Sequence, residues 1–402
     1  MRYRSIWTYL WDVLDEGIDT VIEDVAETAG CNDISLAVTY HSVKCYLPHN
    51  PKRKVYFGED GVTYFKPNME LYKKLLIKPR VSNLVDARED MLGELIKRAS
   101  SKGVSVSAWF IALHNTPLGY AHPDCVIENA YGDRYFFAPC PSNPHVVEYY
   151  STLIKDLGEN YDLRMVQVES PGFGRFTHEW HHEKCGIPIQ AAEEILLSLC
   201  FCSSCLQKAR ERGIDVDSLR EKVRQRLLAF NEGLGSGGSQ EEWNTGPLGL
   251  WSDEEFGEYV GMRIASVNQF IAQMREGLRA ELPLYVLHEG RPRAAWINGQ
   301  DLDSLSKIAD GVLTTCYGED VSRATRVVSD TRAAIGPKRP LIAGHQAIYP
   351  LCQDADDLAD RVRATTEQGA EGHVFYNYGL MPRRNMVWIR DAFQRLDGWK
   401  QR

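Results

Sequence analysis

The sequence contains no uncharged apolar stretch long enough to span a bilayer, and it does not open with a basic segment followed by an apolar one. A transmembrane helix needs about 20 consecutive apolar residues, and a secretion signal needs that basic-then-apolar order. Positive charge is not in excess either, because the 402-residue chain has a formal net charge of −9. We therefore expect no membrane or nucleic acid among its partners, and a cytoplasmic location.

Motifs for two common chemistries are absent as well. No glycine-rich phosphate motif stands between a strand-like and a helix-like segment, and no serine at a predicted strand end suggests a Ser-His-Asp arrangement. Nucleotide-dependent chemistry and acyl transfer therefore have no support, and no organic cofactor is indicated. With 44% hydrophobic and 25% charged residues, the composition is that of an ordinary globular enzyme.

Strand-like and helix-like segments alternate along the chain. The strand-like runs are rich in branched and aromatic residues and are predicted at 5–11, 34–41, 104–114, 163–170, 283–289, 311–317, 341–346 and 373–378. Amphipathic helices are predicted at 18–29, 91–100, 146–157, 356–366 and 385–395. Eight such units predict an α/β fold of the (β/α)8 TIM barrel type, with an open doubly wound sheet as the competing architecture. Polar residues recur just past the strand ends, as they would around one central pocket, and this favours the barrel.

The chain is longer than a minimal barrel, which has about 250 residues. The sequence predicts a single barrel domain over 1–402 with long insertions after strands two and four. The first insertion, 42–88, is rich in aromatic residues and is expected to lie over the barrel mouth. The second, 206–282, combines helices with a flexible Gly/Ser loop at 231–249, for which a mobile lid and a surface hairpin are the alternatives.

One predicted strand ends in a carboxylate. In Leu163-Arg-Met-Val-Gln-Val-Glu-Ser170, branched apolar residues lead directly into Glu169. An ionised glutamate in the middle of a buried strand would be costly, so we expect Glu169 at the carboxyl end, facing a cavity. There it could act as a general acid/base.

A glycosidase needs a second carboxylate that faces the first across the scissile bond. Glu289 follows the apolar run of the next strand and is the first candidate, and Glu319 is the second. Each has a structural alternative: Glu289 could pair with Arg291 or Arg293 at the rim, and Glu319 could favour the N-terminus of the following helix.

Aromatic, imidazole and amide side chains recur near the predicted strand ends. Such groups stack on sugar rings and form hydrogen bonds with their hydroxyls, although core packing is the alternative for any single aromatic ring. The predicted substrate-binding residues are His41, Trp109, His114, Asn115, Tyr317, His345, Gln346 and Tyr376. A small-molecule carbohydrate is therefore the expected partner, and a homo-oligomer is compatible with the sequence.

Ten cysteines without a secretion signal are expected to be reduced thiols. Three of them, Cys200, Cys202 and Cys205, lie within six residues. With Cys185 as fourth ligand they form a candidate structural zinc site, for which His178, His181 and His182 compete with Cys185. The alternative is that Cys200 lies on the apolar face of a helix and that no metal is bound.

The Cys-x-Cys-x-x-Cys spacing in a loop after a barrel strand resembles the zinc-bearing β-galactosidases of glycoside hydrolase family 42. Segments such as Leu113-His-Asn-Thr-Pro-Leu-Gly119 and Cys140-Pro-Ser142 resemble a wider group of uncharacterised glycosidase-like barrel proteins. The resemblance implies a barrel fold and carbohydrate hydrolysis, and it gives Glu169 the acid/base position. The sequence departs from family 42, which has Asn before that glutamate and a nucleophilic glutamate after strand seven. Here Val168 precedes Glu169, and strand seven ends in His345-Gln346.

The leading hypothesis is a glycoside hydrolase that acts on a small saccharide or glycoside. The alternative is a divalent-metal-dependent sugar isomerase or epimerase, in which Glu169, Glu289 and His345, with His114 or His41, would hold the metal. A barrel that binds carbohydrate without turnover is a third hypothesis. The identity of the sugar and the stereochemistry do not follow from these residues.

Overall fold

The computed structural model describes residues 3–86, 90–178, 182–233, 244–318 and 320–399. Its strands, in chain order, are β1 (Arg4–Thr8), β2 (Asp33–Tyr40), β3 (Val43–Tyr46), β4 (Val55–Gly58), β5 (Val62–Thr63), β6 (Ser105–Ile111), β7 (Val126–Glu128), β8 (Arg134–Pro139), β9 (Val166–Glu169), β10 (Leu284–His288), β11 (Gly311–Thr315), β12 (Leu341–Gln346) and β13 (Gly372–Tyr376).

Eight of these strands form a closed parallel barrel. Their order around the ring is β1, β2, β6, β9, β10, β11, β12 and β13, and the pairing of β13 with β1 closes the ring. The predicted (β/α)8 barrel is therefore confirmed, and an open sheet is excluded. Every predicted strand is present, with ends that differ from the predicted ones by at most three residues.

Helices surround the barrel. They are α1 (Leu10–Glu16), α2 (Ile18–Glu23), α3 (Asn83–Asp86), α4 (Met91–Ser101), α5 (Thr116–Ala121), α6 (Pro144–Asn160), α7 (Ala191–Leu197), α8 (Ser203–Glu211), α9 (Val216–Asn231), α10 (Pro247–Leu250), α11 (Glu254–Gly277), α12 (Leu302–Ile308), α13 (Val321–Ile335), α14 (Ala355–Glu367) and α15 (Arg383–Trp399). Short 3-10 segments lie at Met69–Tyr72, Pro123–Cys125 and Pro292–Asn298, and a π-helical turn lies at Asp24–Thr28.

Aspartate side chains begin many of these helices. The carboxylates of six of them accept hydrogen bonds from the backbone N–H groups of the first turn, and these residues are Asp90, Asp215, Asp253, Asp301, Asp320 and Asp354. Such capping satisfies N–H groups that have no partner inside the helix. Among the described helices, none is both long and apolar enough to cross a bilayer.

The segments after β2 and β9 are built of regular elements. After β2, a β3–β4 hairpin packs Tyr56 against Trp11, with ring centroids 4.5 Å apart, and β5 adds to β2 in antiparallel orientation. After β9 come the helices α7 to α11. The predicted loop 231–249 contains α10 near its end, and its residues 234–243 lie outside the described residues. The number of domains stays a prediction.

The barrel interior is polar near its middle. Gln167 of β9 points inward, since its amide oxygen accepts hydrogen bonds from Trp7 Nε1 at 2.9 Å and from Ser35 Oγ at 3.0 Å. Side chains alternate between the two faces of a strand. Glu169, two residues further along β9, therefore also points into the barrel, toward its carboxyl end.

A β-bulge in β2 changes which side chains reach the mouth. The register with β6 shifts between Ala37 and Thr39. Ser35 and Ala37 share the inward face, so regular alternation would turn Tyr40 outward. The additional residue turns Tyr40 inward instead, where its ring lies 5.2 Å from that of Trp109. Re-aiming a side chain in this way is a common effect of bulges beside functional sites.

Two helical glycines allow a test of this packing. A Cβ on Gly119 of α5 would lie 1.8 Å from the carbonyl oxygen of Phe136, whereas a Cβ on Gly261 of α11 would meet nothing within 4 Å. We expect Gly119→Ala to lower the free energy of unfolding by about 1–3 kcal/mol, as overpacking does. We expect Gly261→Ala to raise it by up to about 1 kcal/mol, because alanine favours helix. Urea denaturation measures both, and a shift of the same sign in both variants would contradict the described packing.

Candidate active site

Glu169 is the last residue of β9, and its side chain is half-buried at the carboxyl end of the barrel. Trp109 of β6 pairs in register with Gln167, so it also points inward. Its indole N–H donates a hydrogen bond to Oε2 of Glu169 at 2.5 Å. The predicted position of Glu169 at a strand end, with its carboxyl group in the barrel mouth, matches this geometry.

The surroundings of Glu169 alter its ionisation. Burial raises the pKa of its carboxyl group, the hydrogen bond from Trp109 lowers it, and the negative charge of Glu289 raises it again, which brings the pKa to about 7. Burial dominates because an apolar environment disfavours the charged form. At neutral pH this carboxyl group is therefore poised between its protonated and ionised forms.

Aromatic side chains surround this carboxyl group. The Tyr9 hydroxyl lies 2.8 Å from that of Tyr40 and 3.0 Å from that of Tyr376, which links three strand ends. The Trp109 ring lies 6.0 Å from that of Tyr376, and the Tyr317 ring lies 6.1 Å from Tyr376. The structure thus brings the predicted residues Trp109, Tyr317 and Tyr376 together at the mouth.

Tyr9 was not among the predicted binding residues, although it follows the first strand directly. The strand predicted at 5–11 included it, so its only signal was the aromatic-rich run Trp7-Thr-Tyr-Leu-Trp11. Which of them would face the mouth could not be read from that run.

Glu289 lies one residue beyond β10, and 52% of its side chain is exposed. Its Oε2 is 3.9 Å from Nη2 of Arg175. Of the rim arginines proposed as alternative partners, Arg293 is paired with Asp330 at 2.9 Å. Glu289 is close enough for its charge to raise the pKa of Glu169. Glu319, the second candidate, lies outside the described residues.

Three histidines form a contiguous cluster beside the mouth. The His114 ring centroid lies 4.5 Å from that of His41 and 4.6 Å from that of His178. Burial and the two neighbouring imidazoles lower the pKa of His114 to about 2, and burial lowers the pKa of His41. Neutral imidazoles offer both a donor and an acceptor, which suits hydroxyl groups. His178 had been considered only as a possible metal ligand.

The side-chain amides of the two predicted amide residues differ in their hydrogen bonds within the protein. Asn115 begins α5: its Oδ1 accepts from the Leu118 N–H at 2.9 Å, and its Nδ2 donates to the Gly61 carbonyl at 3.4 Å. Its amide therefore serves the protein's own structure. Gln346 pairs in register with Tyr376 at the mouth, and its Oε1 has no hydrogen-bond partner among the described residues.

The prediction for His345 is wrong. Gly344 faces the barrel interior, since a Cβ there would lie 2.9 Å from the Trp7 ring. The next residue therefore faces outward, where His345 Nε2 lies 3.1 Å from His373 Nδ1 and the ring packs on Phe375. His345 cannot reach the mouth, so the metal site proposed from Glu169, Glu289 and His345 does not form.

A second site is built of four buried thiols. Cys140, Cys200, Cys202 and Cys205 have all their sulfur atoms within 4.8 Å of one another. This corrects the predicted fourth ligand, because Cys185 lies apart, is exposed and donates to the Ile187 carbonyl. Cys140 follows β8 directly, and its only signal in the sequence was the segment Cys140-Pro-Ser142.

A buried arginine accompanies the thiols. Arg263 of α11 is 1% exposed, and its guanidinium lies 4.5 Å from the centroid of the Phe173 ring. Its Nε and Nη2 have no hydrogen-bond partner among the described residues. The negative charge of ionised thiolates at this cluster would stabilise the buried cation.

The sequence matches no family profile and no curated protein. The fold is similar to that of the PgaB (BpsB) glycoside hydrolase domain from Bordetella bronchiseptica, with a TM-score of 0.61, 13% identity and 98% of each chain covered. It is also similar to alpha-L-fucosidase isoenzyme 2 from Paenibacillus thiaminolyticus, with a TM-score of 0.55 and 12% identity; the match covers 100% of this chain and 50% of the fucosidase. At these identities the likeness shows a shared barrel fold. The resemblance to family 42 stays a prediction.

The Trp109–Glu169 hydrogen bond can be tested directly. Trp109→Phe keeps an aromatic ring but removes the N–H that stabilises the ionised carboxyl group, so we expect the pKa of Glu169 to rise above about 7. Trp7→Phe is the matched control, because that indole donates to Gln167 instead. Carbon-13 NMR titration of labelled glutamate measures both variants. An unchanged pKa in Trp109→Phe, or an equal rise in both, would contradict the assigned contact.

Proposed function

We propose that this protein is a glycoside hydrolase in which Glu169 is the general acid/base. The observation that carries the proposal is a half-buried carboxyl group at a barrel strand end whose pKa is raised to about 7. A carboxyl group that keeps its proton near neutrality can donate it to the oxygen of a leaving group. Active sites of TIM barrels lie at this end of the strands.

The contact with Trp109 defines where the transferable proton sits. An indole N–H can only donate, so Oε2 of Glu169 must accept, and the proton of the neutral acid is placed on Oε1. Oε1 is therefore the atom that delivers the proton to the glycosidic oxygen. Once ionised, the same group keeps the Trp109 hydrogen bond and can receive a proton from water in the return step.

Glu289 is proposed as the second carboxylate. It follows the strand next to that of Glu169, and its charge acts on the pKa of Glu169. It would either attack the anomeric carbon or activate a water for that attack. The separation of the two carboxyl groups decides between these roles, with about 5–5.5 Å for retention and about 6.5–9.5 Å for inversion.

The mouth suits a saccharide. The partly accessible rings of Tyr317 and Tyr376 offer flat faces, and the Tyr376 hydroxyl and the Gln346 amide offer hydrogen bonds. Two proteins of similar fold are a glycoside hydrolase domain and an α-L-fucosidase, which supports a sugar as the substrate.

Replacing the acid tests this function. A screen of aryl glycosides first identifies a hydrolysed substrate, and we then expect Glu169→Gln to lower kcat at least about a hundred-fold. The wild-type kcat/KM should fall as pH rises through about 7, because the acid must be protonated. The variant should lack this alkaline limb.

Glu159→Gln is the control, since Glu159 is exposed on α6 beside Lys155 and is 55% accessible. It should keep the wild-type rate and pH profile. Full turnover by Glu169→Gln would remove Glu169 from the mechanism.

We further propose that the four thiols bind a structural zinc ion. The Cys140 sulfur lies 3.6 Å from those of Cys202 and Cys205 and 3.8 Å from that of Cys200. A tetrahedron with Zn–S bonds of about 2.3 Å has edges of about 3.8 Å, and the three distances from Cys140 are close to that value. Four thiolates leave no open coordination position, which makes the ion structural.

Elemental analysis tests this site. We expect about one zinc per chain in the wild type, loss of zinc with a lower melting temperature in Cys140→Ser, and unchanged zinc in Cys185→Ser. If Cys140→Ser does not fold, cobalt substitution of the wild type should give thiolate-to-cobalt absorption. Zinc that disappears with Cys185 but not with Cys140, or a wild type that binds neither metal, would contradict the proposal.

A further inference from the structure

A cavity of about 370 Å³ lies beside the histidine cluster, outside the barrel mouth. Its floor is aromatic, and the rings are those of Tyr135, Phe137, Phe176 and His178. We call this the aromatic groove. Its rim is polar and carries the charged side chains Arg134, Glu183 and Lys184. None of these residues has a part in the chemistry assigned to Glu169.

The rings of the groove form a platform. Tyr135 and Phe137 are two residues apart on β8, and their rings are nearly parallel, 10° apart with centroids 6.1 Å apart. The Phe137 ring also stacks on His178, at 5.3 Å and 25°. The Tyr135 hydroxyl donates to the Leu197 carbonyl at 2.7 Å, which fixes the orientation of its ring. The platform is therefore held in place by the protein.

The platform continues into the active site as an unbroken row of rings. From His178 the row passes to His114 at 4.6 Å and on to His41 at 4.5 Å. The next rings are Tyr40, stacked on His41 at 4.4 Å, and Trp109 at 5.2 Å from Tyr40, and Trp109 donates to Glu169. The row therefore connects the groove to the surroundings of Glu169. Beyond His178, its accessible members are His41 and His114, whereas Tyr40 and Trp109 are buried.

Core packing accounts for only part of the surface of these rings, although Tyr135 and Phe137 do pack against the core. Phe176 is 38% exposed, and Tyr135 and Phe137 are each partly accessible. Phe136, which also lines the groove, stacks on Tyr120 at 4.6 Å. Exposed apolar surface gathered in a concave site commonly marks ligand binding.

We propose that the aromatic groove is a subsite for further sugar residues, so that the substrate is an oligosaccharide extending from Glu169 past the histidines. This inference rests on the proposed hydrolase function. Parallel rings suit the apolar faces of pyranoses, and the charged rim suits their hydroxyls. An apolar aglycone would use the rings but not the rim.

Cys185 provides a binding assay that does not need turnover. It lines the groove and is the one exposed cysteine among the ten. We expect pentasaccharides from at least one of the cello-, malto- and chito-oligosaccharide series to slow its alkylation by iodoacetamide, and the disaccharides to do so much less. Phe137→Ala should abolish the protection. Tyr120→Ala, which removes a 62% exposed ring that does not line the groove, should keep it.

Turnover separates this inference from the proposed function. For the hydrolysed series, wild-type kcat/KM should be higher for the pentasaccharide than for the disaccharide. Phe137→Ala should reduce that ratio roughly tenfold, while its kcat/KM for small aryl glycosides should not change.

The possible outcomes distinguish the two proposals. Hydrolysis of aryl glycosides, with no effect of oligosaccharide length on kcat/KM and no protection of Cys185, would overturn the subsite proposal and leave the hydrolase proposal intact. Protection without any turnover would support the groove and overturn the hydrolase. Protection by octyl glucoside but not by a pentasaccharide would identify an aglycone site and overturn the proposal.

Discussion

The hydrogen bond between the Trp109 indole and the Glu169 carboxyl group is the contact on which the site depends. Burial at the end of β9 disfavours a charged carboxyl group, and the single N–H partly offsets that cost, so that the pKa is about 7. A fully solvated glutamate would be ionised at neutral pH, and a deeply buried one without a donor would hold its proton too firmly. The balance of these two effects makes an acid that can give and regain a proton at one pH.

That balance requires Trp109 to be fixed, and the barrel interior fixes it. Trp109 lies 5.7 Å from Trp7 between ring centroids, and Trp7 is in turn held by Gln167. Gln167 also donates to the Tyr3 hydroxyl, and that hydroxyl donates to Asp33 at 3.0 Å. The pKa of Asp33 is raised to about 6, because burial raises it and the hydrogen bonds from Ser5 and Ser107 offset only part of that rise. Polar groups buried inside the barrel are thus satisfied by one another, and they support the site from below.

The sequence could predict the strands and Glu169 because both are local. Branched residues followed by a carboxylate and Pro-Gly indicate a strand end, and eight such ends imply a ring. Which side chains face the barrel mouth was harder to predict, because it depends on which residues of each strand point inward. His345 and Gln346 are neighbours, yet one faces the helices and the other the mouth, and only the contact of Gly344 with Trp7 decides which. The bulge that turns Tyr40 inward left no signal in the sequence, and Cys140 lies 60 residues before Cys200.

The thiol cluster and the aromatic groove are linked through the same pieces of chain. One wall of the groove is β8, which runs directly into Cys140, and the other is the segment of Phe176 and His178. The Phe176 N–H donates to Ser198 Oγ at 2.9 Å, two residues before Cys200. Joining Cys140 to the three other thiols therefore joins the two walls. Glu169 and Trp109 are held by barrel strands instead, so loss of the cluster would disturb the groove before it disturbed the acid. A structural metal here would affect the shape of the groove, whereas the barrel strands would keep Glu169 and Trp109 in place.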